Sequence, residues 1–188
     1  EGPDLAGDGQ DTNCDGVDGD IDLAIFVAKN GNDQALGTRF EPMLTIQAAL
    51  DLAYASGMRD VYVASGVYSE SVNLQEGVGL FGGYSADFES RNTLVYETAI
   101  LGQEPSEALP ATVNGDSLGI GNDADQTILD GFTIFGANAA NVAGENSYAV
   151  YLWACGSGLE LRSNRIFGGA GGNGSNGGPG SDGLDGFA

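Results

Sequence analysis

The stretches LDGFTIFGA (Leu129 to Ala137) and LRSNRIFGG (Leu161 to Gly169) align without a gap, Leu on Leu and Ile-Phe-Gly on Ile-Phe-Gly. Two further pairs of apolar residues followed by Gly precede them, Leu80-Phe81-Gly82 and Ile100-Leu101-Gly102. A sandwich has no reason to repeat a motif in this way. A solenoid does, because equivalent residues stack in successive coils. One coil of a parallel β-helix takes about 20 to 25 residues. The wider intervals, from Ile100 to Ile134 and on to Ile166, therefore hold loop insertions or span a coil and a half. Around these repeats lie other short strand-like runs, DVYVAS, ESVNL, GVGLFGGY, ETAIL and YAVYLW, separated by Gly, Asn, Asp and Ser. Many short strands with turn signals mark an all-β sandwich, barrel or β-helix, and the repeat selects the β-helix. Asn164 is either an inward Asn bonding backbone at a coil corner or a surface turn residue.

Upstream, LAIFVA (Leu23 to Ala28) reads as a short strand, followed by the turn KNGND. TIQAALDLAYASG then predicts a helix over about residues 45 to 56. Ile46, Ala49, Leu50 and Ala53 fall at helical spacing, Thr45 is a candidate N-cap, and Gly57 is a stop. From Gly168, Gly recurs at every third position to the end, GGA GGN GSN GGP GSD GLD GFA. That period predicts an extended, polyproline-II-like strand that approaches a neighbour on its Gly side. The neighbour is its own domain or another subunit. Pro179 alone gives little support to a collagen triple helix. Three segments result: an acidic loop over 1–22, the β-helix with its capping helix over 23–167, and the triplet tail over 168–188.

The chain has 188 residues and a formal charge of -21, from 6 basic and 27 acidic side chains, with no His. Such a surface repels phosphate, which argues against nucleic acid and unaided binding to anionic membranes. Divalent cations are its natural counter-charge. The 41% hydrophobic content argues for a packed core rather than disorder. Without His, Ser-His-Asp and Cys-His catalysis and ordinary His-bearing zinc sites are excluded. No apolar run approaches membrane-spanning length. The first residue, Glu1, points to a processed product or a fragment, from which a signal peptide has been removed if one existed. Cys14 and Cys155 either pair across the domain or stay as a loop thiol and a small hydrophobe.

TIQAALDLAYASGMRDVYVASGVYSESVNL, followed by GVGLFGGYSADFESRN, resembles the start of secreted proteins of the pectate-lyase-like superfamily. The resemblance implies a right-handed parallel β-helix whose open end is capped by a short helix. DTNCDGVDGD resembles the acidic metal-binding repeats on secreted proteins of myxobacteria and related bacteria. Those repeats carry a second, upstream Cys, and Glu1 to Asn13 contains none. The superfamily holds lyases, hydrolases, adhesins and structural fibres, so the resemblance carries no single activity.

Calcium takes six to eight hard oxygens on a flexible loop, often at alternating positions around a Gly. Counting Asp11 as position 1 puts Asn13 at 3, Asp15 at 5, Gly16 at 6, the Val17 carbonyl at 7 and Asp22 at 12. This is EF-hand loop spacing without the flanking helices, with Asp20 or Asp8 as substitute ligands. Asp18 stands where an EF-hand loop has an apolar residue. The expected ligands are Asp11, Asn13, Asp15, Val17, Asp20 and Asp22, holding a structural Ca2+ that pins the N-terminal arm to the capped end. The bland reading is a solvated acidic turn. A second stretch with two carboxylates, Asn122-Asp123-Ala124-Asp125, reads first as an ordinary turn and only second as a cation site.

For catalysis the chain offers little. The Gly-His-Gly and Arg-Ile-Lys motifs of galacturonan-cleaving relatives are absent. Asp123, Asp125 and Asp130 are carboxylates of the right type for a glycosidase. Arg162 and Arg165 point to opposite faces of one strand region and are expected in surface salt bridges, and Arg91 is expected to pair with Asp87 or Glu89. Tyr62, Tyr68, Phe81, Tyr84, Tyr148, Tyr151 and Trp153 are core residues or a sugar-stacking platform. The sequence thus points to an extracellular or cell-surface structural or adhesive protein. It would be calcium-stabilised and self-associate through β-helix ends and the Gly-rich tail. The alternative is a module that binds or cleaves an extracellular polysaccharide.

Overall fold

The computed structural model describes residues 4–103, 111–120, 126–139, 144–178 and 180. The chain enters through strand β1 (Ala24–Val27), crosses helix α1 (Ile46–Ser56), and then winds. The first coil is β2 (Asp60–Ala64), β3 (Gly66–Ser69) and β4 (Val72–Asn73). The second is β5 (Gly79–Tyr84), β6 (Thr98–Leu101) and β7 (Ala111–Asp116). The third is β8 (Thr127–Asp130), β9 (Phe132–Phe135) and β10 (Tyr148–Trp153). The fourth contributes β11 (Leu159–Arg162) and β12 (Arg165–Phe167). Corresponding strands of successive coils pair in parallel, giving three sheets: β1-β2-β5-β8-β11, β3-β6-β9-β12 and β4-β7-β10. This is a parallel β-helix of about four turns with one short helix.

The sequence repeat lies in register. Leu161 pairs with Leu129, and Ile166 and Phe167 pair with Ile134 and Phe135. Ile134 and Phe135 pair in turn with Ile100 and Leu101. Each wide interval is therefore one whole coil enlarged by insertions. Leu80-Phe81 is the exception: it lies in the first sheet, where Leu80 pairs with Leu129. Its likeness to the other triplets reflects a shared apolar pair before a Gly, not a shared place in the coil. At the corner of coil four, the Asn164 Nδ2 donates to the Leu129 carbonyl (2.7 Å) and its Oδ1 accepts from the Phe132 amide (3.0 Å). That is the inward, coil-binding role.

Inside the coil, Val61, Val63, Leu80, Ile100, Val113, Leu129 and Ile134 form one core. Helix α1 closes its N-terminal end with Ile46, Ala49, Leu50 and Ala53, all at 0% exposure. Thr45 caps the helix, its hydroxyl oxygen accepting from the Ala48 amide, and Gly57 ends it in the left-handed region at φ 71°. The Glu70 carboxylate accepts from the Ile46 and Gln47 amides (both 3.0 Å), and Asp33 accepts from those of Leu44 and Thr45. Negative charge at a helix start is stabilised by its free N–H groups. Among the described residues, no helix is long and apolar enough to cross a membrane.

Within the described part of the Gly-rich tail, Ala170 accepts from the Ala139 amide (2.8 Å) and Asn173 from that of Gly144 (2.9 Å). The Gly172 amide donates to the Glu145 carbonyl (2.8 Å). The start of the tail thus lies against residues 136–139 and 144–145 of its own domain. A Cβ on Gly169 would collide with the carbonyls of Ala137 and Gly136, so the close approach needs Gly. The cysteines are free: Cys14 is exposed, and Cys155 packs against the core.

Candidate functional site

Strands β1, β2 and β5 are buried along their whole length. Side chains alternate across a strand, so one set faces the coil interior and the other must be covered from outside. The outer set is Ala24, Phe26, Ala28, Tyr62, Ala64, Phe81 and Tyr84, joined by Phe88 and by Val17 of the acidic loop into a second core. Phe26 meets the edges of Tyr62 and Phe88, and Tyr62 stacks on Tyr84 at 4.9 Å between centroids. The acidic loop is therefore laid along the flank of the solenoid. The expected attachment at the capped end is corrected in this respect.

Its carboxylates organise the loop. Asp18 is buried and accepts from the amides of Gly7 (3.0 Å) and Gly9 (3.2 Å). Asp4, also buried, accepts from the Gly19 amide and the Thr12 hydroxyl, both at 3.1 Å. Asp11 accepts from the amides of Asp15 and Gly16, and Asp15 from those of Val17 and Ile21. Asn13 Oδ1 accepts from the same Asp15 amide (3.0 Å), and its Nδ2 donates to the Asp15 carboxylate (2.9 Å). Asp20 caps the 3-10 turn Ile21–Leu23 by accepting from the Asp22 amide.

Asp11, Asn13 and Asp15 thus converge on one turn, and Asp11 and Asn13 share a donor. Asp20 and Asp22 belong to the next turn, with Asp22 exposed. Val17 is 1% exposed, its side chain the apolar plug. Among the described residues, no group of three or more His, Cys, Asp or Glu side chains is arranged to hold a metal ion. Residues 122–125 lie outside the described part. The sequence reading missed Asp4 and treated Asp18 as a departure from EF-hand pattern. In the fold the apolar anchor has moved one position earlier, to Val17, and Asp18 has become the buried acceptor.

The solenoid meets this loop with specific groups. The Tyr84 hydroxyl donates to the Asp18 carbonyl (2.7 Å). The Tyr62 hydroxyl accepts from the Asp20 amide and donates to Asp60, both at 3.1 Å. Burial, aided by the Asp60 charge, pushes the Tyr62 phenol far above its ordinary value, so it stays a donor. Burial also raises the Asp60 carboxyl, against the lowering effect of Arg59. Arg39 reaches the Gly16 carbonyl and pairs with Glu89 at 3.0 Å. Arg91 does not pair with Asp87 or Glu89. It is buried over Phe81 and Tyr84, donates to the Gly82 carbonyl, and faces Asp130 at 3.4 Å. The charge that would be costly to bury is met by a buried carboxylate one coil away. Arg162 also faces Asp130, at 3.3 Å, and Arg165 pairs with Glu97 at 2.7 Å on the surface. Asp130 is thus tied into an ionic cluster.

Of the candidate sugar-stacking aromatics, Tyr62, Tyr68, Phe81 and Tyr84 are core. Tyr148 and Trp153 are exposed, on β10. The fourth coil leaves Ile166 at 47% exposure, whereas Ile100 and Ile134, at the same place in earlier coils, are at 0%; Phe167 continues the outward row of Leu101 and Phe135, which is exposed in every coil.

No curated protein and no solved structure matches the chain. A model of a family of proteins of unknown function, DUF1565, matches residues 29–178. A parallel β-helix is the fold expected of that pectate-lyase-like type, and the chain belongs to the DUF1565 family.

Proposed function

We propose that this protein is a structural subunit of an extracellular or cell-surface assembly, joined to the next subunit through its fourth coil. The observation that carries the reading is the exposure of Ile166. The stack Ile100–Ile134–Ile166 is covered at its first two levels and bare at the third. Among the described residues the outer edges of β11 and β12 are unpaired, and in this reading the next subunit supplies the layer of strands that fits them. Helix α1 blocks the same growth at the other end. The contact is therefore one between unlike surfaces, or between two fourth coils related by a two-fold axis. In the same reading Ca2+ binds the acidic loop through Asp11, Asn13 and Asp15, and stiffens the flank. Sedimentation velocity over a wide concentration range tests the reading. Association that rises with concentration and is lost in Ile166→Lys is expected. A wild-type chain that stays monomeric throughout would overturn it.

A second reading, a module binding an extracellular polysaccharide, draws on Tyr148 and Trp153. Trp153 is the only Trp in the chain, so its fluorescence reports on that surface directly. Saturable quenching by a neutral or acidic polysaccharide would favour this reading over assembly.

A further inference from the structure

The segment between β1 and α1 folds into two turns that enclose an open cavity of about 380 Å³, lined by Asn30, Asn32, Ala35, Phe40, Glu41 and Pro42. That size falls within the range of small-molecule sites. Its walls are fixed by backbone. The Asn32 amide donates across to the Pro42 carbonyl (3.0 Å), the Gly31 amide to that of Ala28 (2.9 Å) and the Ala35 amide to that of Asn32 (2.8 Å). Phe40 stands in the turn Thr38–Glu41, closed by the Glu41 amide donating to the Thr38 carbonyl (3.1 Å). Gly37 enters that turn at φ 72°, where a Cβ would sit 2.8 Å from Ile25 Cγ2. Arg39 anchors it from the side, donating to the Asp87 carbonyl (2.9 Å) and pairing with Glu89. A cavity held in this way pays little ordering cost when a ligand enters.

The lining selects the ligand by its chemistry. Phe40 offers an aromatic ring that is 88% exposed. The Asn32 Oδ1 accepts from the Gln34 amide (3.0 Å). Among the described residues, no hydrogen bond or ion pair engages the Asn32 Nδ2, the Asn30 side chain or the Glu41 carboxylate. The cavity therefore combines one apolar plate with amide donors and with amide and carboxylate acceptors. An anionic ligand is repelled by Glu41 and by the chain's charge of -21. A cationic one finds the Arg39 guanidinium already over the Phe40 ring, 5.9 Å from its centroid. A wholly apolar one would strip water from Asn30, Asn32 and Glu41 and return no hydrogen bond. A neutral sugar satisfies all three conditions. Its C–H face lies on an aromatic ring, and each hydroxyl both donates and accepts.

We propose that this cavity binds one neutral sugar ring of a glycan, stacked on Phe40 and hydrogen-bonded by Asn30, Asn32 and Glu41. The site shares no residue with the fourth coil or with β10, so it stands or falls apart from both readings above.

The test is isothermal titration calorimetry of the full chain with neutral gluco-, manno-, galacto- and xylo-oligosaccharides, and with oligogalacturonate as the acidic counterpart. Saturable binding of at least one neutral oligosaccharide is expected, and none of oligogalacturonate. Phe40→Ala, at an exposed position, should keep the melting temperature and weaken binding at least about tenfold. Asn30→Ala should also weaken it, whereas Trp153→Ala should leave it unchanged. Failure of every neutral oligosaccharide to bind, binding of oligogalacturonate alone, or binding undiminished in Phe40→Ala would overturn the proposal. Binding lost in Trp153→Ala and kept in Phe40→Ala would place the sugar on β10 instead.

Discussion

Asn164 holds coil four to coil three with both ends of its amide, donating to Leu129 and accepting at Phe132. Asn164→Ala is expected to cost about 1–3 kcal/mol, because two partly buried backbone groups lose partners. Asn164→Asp keeps the acceptor, loses the donor and sets a carboxylate against a carbonyl, so thermal unfolding should show no rescue. Asp130 carries more. It is 3% exposed and is the counter-charge to Arg91, whose side chain is 6% exposed. Asp130→Ala strands a buried cation, and about 3–5 kcal/mol of destabilisation by denaturant titration is expected. These residues differed in legibility. The corner role of Asn164 follows from a local repeat, so it was among the readings the sequence offered. The Arg91–Asp130 pair joins residues a coil apart, and nearby Asp87 and Glu89 were better candidates on sequence distance alone.

Helix α1 is the element read most fully from sequence. Its apolar period, Thr45 cap and Gly57 stop are all local signals, and all three hold. What local signals do not carry is Glu70, which reaches the first two helical amides from the first coil. Burial raises the Glu70 carboxyl above its ordinary value of 4.5, outweighing the lowering by the Gln47 and Ile46 amides. By proton linkage, a carboxyl raised on folding stabilises most fully below its unfolded value, and that contribution is lost as pH rises through the folded one. Asp60 acts in the same direction. The melting temperature should therefore rise as pH falls from 7 toward 5, and Glu70→Gln should flatten that rise. A slope unchanged in Glu70→Gln would remove Glu70 from the account.

At the scale of the molecule, one face was legible and one was not. Inward residues announce themselves through the repeat. The outer aromatic layer was visible only as runs too apolar for alternation, LAIFVA, DVYVAS and GLFGGY, which is how strands covered on both faces read. Nothing in the acidic loop named its cover, because Val17 is one apolar residue among carboxylates. The self-repulsion of so acidic a chain makes a bound cation valuable. Saturating calcium, at about a hundred times its Kd, is expected to add about 2.7 kcal/mol to stability. Asp11→Asn combined with Asp15→Asn should erase that gain, as calorimetry with calcium and with chelator would read. Assembly through the fourth coil is tested by amide hydrogen exchange at β11 and β12, followed as protein concentration is raised. Protection of Leu159–Arg162 and Arg165–Phe167 is expected to grow with concentration, while that of β2 and β5 stays constant. Protection of the fourth coil that is independent of concentration would contradict it.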